Sequence, residues 1–182
     1  MFRAFMLAAG IMMAATAANA ATLDFTVLPF GDVGSPTASV PGATITNNSG
    51  FDLYRGDQFA NSICALSATF NCNADLTLDF DSLVSNITFD SGGFDPGDFV
   101  EVSVLGIADM LLGSFTIAGD THFVLSGFNN VSKLVFDDSS TGFGLVYGNF
   151  TYDVAAVPLP AGLPLFVTGL GGIALLRRRR RA

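Results

Sequence analysis

The chain has 182 residues, half of them apolar and 13% charged, a length that suits one domain with short processing segments. All 16 acidic residues lie between Asp24 and Asp153, where only Arg55 and Lys133 oppose them, so this stretch has a net charge of −14. A surface this acidic argues against nucleic-acid binding, because phosphates are neutralised by lysine and arginine. It suits solubility, cation binding or a polysaccharide environment.

The first 20 residues have the three parts of a secretory signal peptide. Arg3 supplies a positive charge, Phe5 to Ala15 is an uncharged apolar run, and Ala18-Asn19-Ala20 is a small-x-small cleavage site. The apolar run is too short to span a bilayer permanently. We therefore predict a signal helix over 1–20, export by the Sec machinery and signal-peptidase cleavage after Ala20. The alternative is a buried N-terminal helix.

Apolar and polar residues alternate with a period of two through residues 21–156, which predicts strands with one buried face and one solvent-exposed face. The clearest runs are Leu23 to Val27, Leu76 to Phe80, Leu83 to Phe89, Val100 to Val104 and Leu134 to Phe136. Clusters of Gly, Asn, Asp and Pro separate them as turns. We predict one all-β domain over 21–156, an antiparallel β-sandwich or jelly roll of roughly nine or ten strands.

Two further expectations concern the ends and the middle of this domain. The last run, Phe143 to Val154, should pair near the first strand, Thr22 to Val27, as the ends of Greek-key sandwiches often do. The segment Phe30 to Leu66 is rich in Gly, Ser, Asn and Ala, so we expect loops over the sandwich there.

Cys64 and Cys72 are the only cysteines, and seven residues separate them. In an exported chain an even cysteine count favours a disulfide, which here would close a short loop. The alternatives are two free thiols in a reducing cytoplasm or a metal pair. The spacing is not a zinc signature, however, and no further cysteine or histidine cluster completes a site.

Fifteen of the 16 acids are aspartates, which suit turns and also supply the carboxylate oxygens that Ca²⁺ prefers. The sequence contains no EF-hand loop and no nonapeptide calcium repeat. By analogy with jelly-roll domains that hold a calcium ion between terminal strands, the candidate ligands are Asp24, Asp137, Asp138 and Asp153. The alternative is that these side chains are solvated turn acids.

The sequence lacks motifs for catalysis. Its only histidine, His122, lies in a run of alternating polar and apolar residues and is predicted on the solvent-exposed face of a strand. There is no Gly-x-Ser-x-Gly elbow, phosphate loop or His-Glu-x-x-His motif. Carboxylates are so abundant that no pair singles out a glycosidase site. We predict no catalytic residue and no enzymatic activity, with a secreted hydrolase as the last-ranked alternative.

The last 26 residues, 157–182, combine an uncharged segment with a basic cluster. Twenty uncharged residues run from Val157 to Leu176, and prolines confine helix to Pro164–Leu176, about 20 Å at 1.5 Å per residue. That length predicts a marginal transmembrane helix. The basic cluster should stay cytoplasmic by the positive-inside rule and consists of Arg177, Arg178, Arg179, Arg180 and Arg181.

A short motif opens this tail and consists of Val157, Pro158, Leu159, Pro160 and Ala161. The motif, the Gly-rich hydrophobic stretch and the arginine run together resemble the VPLPA-CTERM variant of the PEP-CTERM sorting signals, although Leu159 stands where Pro-Glu-Pro has Glu. The resemblance implies an exported protein of a Gram-negative bacterium that makes exopolysaccharide. Such a protein is held transiently in the inner membrane, cleaved by an exosortase, and then released or attached at the cell surface. An ordinary single-span anchor is the alternative.

These expectations combine into a non-enzymatic surface or extracellular-matrix protein, sorted by an exosortase and associated with exopolysaccharide or biofilm. The runner-up is a secreted carbohydrate-binding module with a structural calcium. Carbohydrate sites commonly use exposed aromatic side chains, and the polar aromatics available are Tyr54, Tyr147 and Tyr152.

Overall fold

Strands of alternating burial make up most of the regular structure in the computed structural model, which describes residues 19–154 except 57, 60, 141 and 143. Within these residues, twelve strands pair antiparallel, and two single-turn 3₁₀ helices span Phe25–Val27 and Ile107–Asp109. The predicted all-β antiparallel class is therefore confirmed. The strands are β1 (Asn19–Thr22), β2 (Gly31–Asp32), β3 (Thr37–Val40), β4 (Ala43–Asn47), β5 (Leu53–Gly56), β6 (Ser62–Ala65), β7 (Leu76–Gly92), β8 (Val100–Leu105), β9 (Leu111–Ile117), β10 (Thr121–Leu125), β11 (Val131–Asp138) and β12 (Val146–Val154).

The predicted terminal helices fall outside the described residues, except that Asn19 and Ala20 of the predicted signal peptide belong to β1. In the part of the chain that the structure describes, no helix is both long enough and apolar enough to cross a membrane. Residues Ala18–Ala155 form a compact unit of their own.

β7 organises the fold because it changes partners along its length. Its first half pairs with β4 and β11, whereas residues 84–92 pair mainly with β10 and β12. The register against β11 shifts between Asp79 and Val84, and Asn86, with φ of 50°, marks a further irregularity against β12. The buried side chains change from even to odd positions across this region. Bulges bend a strand, so β7 contributes to two halves of one sheet.

The two halves bury their apolar faces against each other around an aromatic cluster. The ring of Phe136 in β11 lies 5.6 Å from that of Phe89 in β7. It also lies 4.3 Å from the ring of Tyr147 and 6.4 Å from that of Phe150, both in β12. All four side chains are at most 1% exposed. Because β11 and β12 flank different halves of β7, these contacts fold the sheet into a sandwich-like core.

The first and last strands of the domain pair with each other. β1 runs antiparallel to β12, with Asn19 opposite Val154 and Thr22 opposite Thr151. The other edge of this part of β12 pairs with β7. The last run therefore pairs at the start of the domain as predicted, but its partner is Asn19–Thr22, and only Thr22 of the predicted strand Thr22–Val27 takes part. The chain therefore enters and leaves the domain at the same place.

The strand predicted over Thr22–Val27 is wrong beyond its first residue. The Asp24 carboxylate accepts bonds from the N–H and the hydroxyl of Thr26, at 2.9 and 2.5 Å. These bonds turn the chain into the 3₁₀ helix at Phe25–Val27, in which Phe25 is buried. The hydrogen bonds that Asp24 accepts from Thr26 therefore favour a turn over the strand that the alternating pattern predicts.

The segment Phe30–Leu66, expected to form loops, instead holds strands β2 to β6. The hairpin of β3 and β4 buries alternate side chains, which are Ala38, Val40, Ala43 and Ile45. β4 then pairs along the first half of β7. Small side chains such as alanine give a weak hydrophobic signal in sequence, yet they allow close packing against the core.

Candidate functional site

Four connections between strands converge at one end of the domain, which we call the loop end. They are residues 48–52, 66–75, 93–99 and 139–145. Main-chain bonds tie them together, from Leu145 N–H to the Cys72 carbonyl at 2.6 Å and from Ser139 N–H to the Phe99 carbonyl at 3.1 Å. β12 begins at the loop end and finishes beside β1. The loop end is therefore opposite the place where the chain enters and leaves the domain.

A disulfide closes one of these connections. Cys64, fully buried in β6, is bonded to Cys72, with their Cα atoms 5.4 Å apart. Between them Phe70 is 76% exposed and has φ of 59°, in a turn closed by its N–H to the Ser67 carbonyl at 2.9 Å. Closing a short loop restricts the unfolded chain and so stabilises the folded one. The crosslink holds an aromatic side chain out in solvent.

Carboxylates from two connections and from the end of β11 meet at the loop end. Asp138, the last residue of β11, donates its N–H to Asp75 Oδ1 at 2.9 Å. Asp95 and Asp98 close the turn between β7 and β8, with the Asp95 N–H donating to Asp98 Oδ2 at 3.0 Å. A Cβ placed on Gly142 would lie 3.0 Å from Asp95 Oδ2 and 3.6 Å from Asp98 Oδ2. The β11–β12 connection therefore passes directly over these acids.

Burial and neighbouring charges shift the pKa values of two side chains at the loop end. Burial raises the pKa of Asp138, against the bond that it accepts from the Ser140 N–H, and the charges of Asp75 and Asp98 raise it further. Burial also raises the pKa of Tyr147 well above its usual value, with smaller contributions from Asp138 and Asp75. The phenol of Tyr147 thus lies within electrostatic reach of two carboxylates at the loop end.

The four predicted calcium ligands are not brought together. Asp24 caps the first 3₁₀ helix, and its bonds from Thr26 lower its pKa. Asp153, near the end of β12, accepts a bond from Asn86 at 2.7 Å. Asp137 is exposed opposite a residue of β8, and only Asp138 reaches the carboxylates of the loop end. Among the described residues, no three His, Cys, Asp or Glu side chains are grouped so that they could hold a metal ion by themselves.

His122 lies on the exposed face of β10, where the sequence predicts it. Its Nδ1 is 2.6 Å from Asp90 Oδ1, and the other oxygen of Asp90 accepts a bond from Asn149 at 2.7 Å. Partial burial acts to raise the pKa of Asp90, but the bonds from Asn149 and His122 outweigh it and lower the pKa. The cluster ties β7 to its two neighbouring strands.

The sorting motif Val157–Ala161 and the basic cluster Arg177–Arg181 lie outside the described residues. Comparison with known proteins adds no family: the chain matches no protein-family model and no curated protein. The candidate sites therefore rest on the chain itself. The loop end is a candidate because the structure brings carboxylates and exposed aromatic side chains together there, and the tail is a candidate because of its sequence motif. Sequence reasoning did not select Asp75 or Asp98 and named Tyr147 only as one of three polar aromatics, since nothing in the spacing brings these residues together.

Proposed function

We propose that this chain is an exported surface or extracellular-matrix protein, sorted by an exosortase, non-enzymatic and associated with exopolysaccharide or biofilm. The observation that carries the proposal is the order of parts in the tail: the motif Val157–Ala161, uncharged residues up to Leu176 and then Arg177–Arg181. The arginines hold one end of a short apolar segment in the cytoplasm. The proline-containing motif is then presented to a membrane-bound protease on the far side.

The way the chain enters and leaves the domain supports this topology. Asn19, close to the end of the predicted signal peptide, pairs with Val154, three residues before the sorting motif. A signal peptide and a sorting tail both join an exported domain on the outer side of the inner membrane. Adjacent ends let both segments reach one bilayer without unfolding the domain. The Cys64–Cys72 disulfide also suits an oxidising compartment.

We further propose that the two packed halves of the sheet belong to the β-sandwich or jelly-roll class. A strand that bends at bulges and serves both halves, as β7 does, is a known way of joining two packed sheets. Phe136, reaching across to Phe89 and Phe150, supports this assignment.

The test is mass spectrometry of the protein recovered from the surface of its native host. The mature form should lack residues 1–20 and the cluster Arg177–Arg181. Replacing Pro158 and Pro160 with alanine should block processing and leave the basic cluster in place. Pro164→Ala is the matched control, since it changes a proline of the same tail outside the motif. A surface form that keeps the arginines, or equal processing of both variants, would contradict the proposal.

Carbohydrate binding is a second candidate, favoured by the aromatic side chains at the loop end. Phe51, Phe70 and Phe99 are 44%, 76% and 44% exposed there, among hydroxyl, amide and carboxylate groups. Exposed aromatic faces beside polar groups suit sugar rings. A glycan array tests it: Phe70→Ala should abolish binding, whereas Phe30→Ala, an exposed phenylalanine outside the loop end, should not. Absence of any bound glycan would remove this candidate.

A further inference from the structure

Four side-chain oxygens at the loop end or on the strand ends beside it are buried and have no hydrogen-bond partner among the described residues. They are Asn73 Oδ1, Asp138 Oδ2, Ser140 Oγ and Tyr147 OH. Tyr147 is 1% exposed and Ser140 is 9% exposed, so solvent does not readily satisfy either hydroxyl. Buried polar groups in folded proteins are normally paired, and an unpaired one destabilises the fold. Asp138, Ser140 and Tyr147 all belong to the β11–β12 connection or to the strand ends that flank it, which points to a shared partner from outside the chain.

These oxygens lie in a concentration of negative charge. The Asp75 carboxylate binds the Asp138 main chain, and Asp98 lies close to the connection that carries Ser140. Both carboxylates act electrostatically on Asp138, and Asp138 and Asp75 act on Tyr147. The phenol therefore lies near the same charges as the unpartnered carboxylate oxygen.

No protein cation of the described residues is placed to balance this charge. The described part of the chain contains two basic residues, Arg55 and Lys133. Lys133 is engaged away from the loop end, 2.7 Å from Asp109 and 3.4 Å from Asp79. Arg55 donates to the carbonyl of Leu28. The partner of the loop-end oxygens should therefore itself carry positive charge.

We propose that the loop end binds a calcium ion between Asp138 and Ser140 on the β11–β12 connection, with Asp75 and Asp98 supplying further negative charge. The donors are all hard oxygens of carboxylate and hydroxyl type, which suit Ca²⁺ rather than metals that prefer nitrogen or sulfur. Neutral oxygens would have to complete the coordination, because among the described residues no three His, Cys, Asp or Glu side chains are grouped so that they could hold a metal ion. The buried hydroxyl of Tyr147, which has no partner among the described residues, would donate a hydrogen bond to a water held by the ion.

The proposed ion would add a further link between three connections that main-chain bonds already hold together. Asp75 belongs to the connection before β7, Asp98 to the one before β8, and Ser140 to the one before β12. Affinities of extracellular calcium modules lie at about 10⁻⁴ to 10⁻³ M, so the site would fill outside the cell and not in the cytoplasm. The inference concerns the domain alone and holds whether or not the tail is processed.

Terbium luminescence tests the position of the site in the full chain held in detergent micelles. Tb³⁺ replaces Ca²⁺ at oxygen sites, and in a chain without tryptophan only tyrosine can sensitise its emission. Tyr147→Phe should remove most of the sensitised emission. Tyr152→Phe is the matched control, because Tyr152 lies near the end of β12 that pairs with β1. Emission that survives Tyr147→Phe would overturn the placement.

Calcium titration by calorimetry tests the ligand. Asp138→Asn keeps the oxygen that accepts from the Ser140 N–H but removes the charge, and should weaken Ca²⁺ binding by at least about tenfold. Asp137→Asn is the matched control, with the same change one residue earlier at an exposed position. Equal affinity of the two variants, or no binding of Ca²⁺ to the unmodified chain, would overturn the proposal.

Thermal unfolding separates a calcium ligand from a merely structural aspartate. In chelator, Asp138→Asn should melt at the same temperature as the unmodified chain or higher, because a buried charge near other carboxylates has been removed. In calcium the order should reverse, since only the unmodified chain gains stability by binding. An unchanged order would overturn the proposal, and an equal gain with Mg²⁺ would overturn the assignment to calcium.

Discussion

Phe136→Ala should be among the most destabilising single changes in this domain. The side chain is fully buried and its ring meets those of Phe89, Tyr147 and Phe150, so truncation removes contacts to both halves of the sheet. Phenylalanine-to-alanine changes in well-packed cores cost about 3–5 kcal/mol, from lost transfer free energy and the cavity left behind. We expect Phe136→Ala to lower the free energy of unfolding by about 4 kcal/mol. A domain of this kind has a total stability of only about 5–15 kcal/mol.

Urea unfolding followed by far-ultraviolet circular dichroism measures this cost. With a denaturant dependence of about 2 kcal/mol/M, the midpoint should fall by about 2 M urea while the slope stays the same. Phe51→Ala is the control at an exposed phenylalanine and should change stability by about 0.5 kcal/mol or less. If the two variants lose similar stability, the halves of the sheet do not pack through Phe136, and the sandwich-like core is wrong.

Three further predictions use the same unfolding assay. Replacing Cys64 and Cys72 with alanine should cost about 2.5 kcal/mol, the loop-closure contribution of so short a loop, and reducing agent should destabilise only the unmodified chain. Gly144→Ala should lower the free energy of unfolding several times more than Gly50→Ala. Both glycines have positive φ, but only on Gly144 would an added Cβ clash with the main chain of Cys72, since one on Gly50 would meet no atom. Asn61→Ala should cost about 1–3 kcal/mol, because its carboxamide donates to and accepts from the main chain around the first 3₁₀ helix, at 2.5 and 2.6 Å.

The strands that sequence predicts well are those with large apolar side chains on one face. β7, β8 and β11 alternate valine, leucine, isoleucine or phenylalanine with polar residues, and each appears where predicted. Sequence does not predict that β7 is continuous. The polar residues near Asp81 and Asn86 suggest a break, but they form bulges at which the strand bends and changes partners.

The loop end could be predicted only in fragments. The turn Asp95-Pro96-Gly97-Asp98 is visible from composition, and Asp98 donates its N–H to the Asp95 carbonyl at 3.0 Å as such a turn requires. The sequence does not predict that the Asp75 carboxylate accepts a hydrogen bond from the main chain of Asp138, which lies 63 residues later. That contact depends on β11 pairing beside the first half of β7. Long-range pairing of this kind is set by the whole core and not by local pattern.

The pairing of β1 with β12 places the proposed cleavage site after Ala20 next to the strand that precedes the proposed sorting motif. Cleavage after Ala20, as the sequence predicts, would remove Asn19 and Ala20 from β1 and leave only its last two residues paired, opposite Tyr152 and Thr151. The last residues of β12 would then keep their bonds to β7 but lose their partners on the other edge. Fewer backbone bonds lower the cost of opening a strand end. In the proposed sorting route, removal of the signal peptide would thus loosen the end of β12, which precedes the proposed sorting motif.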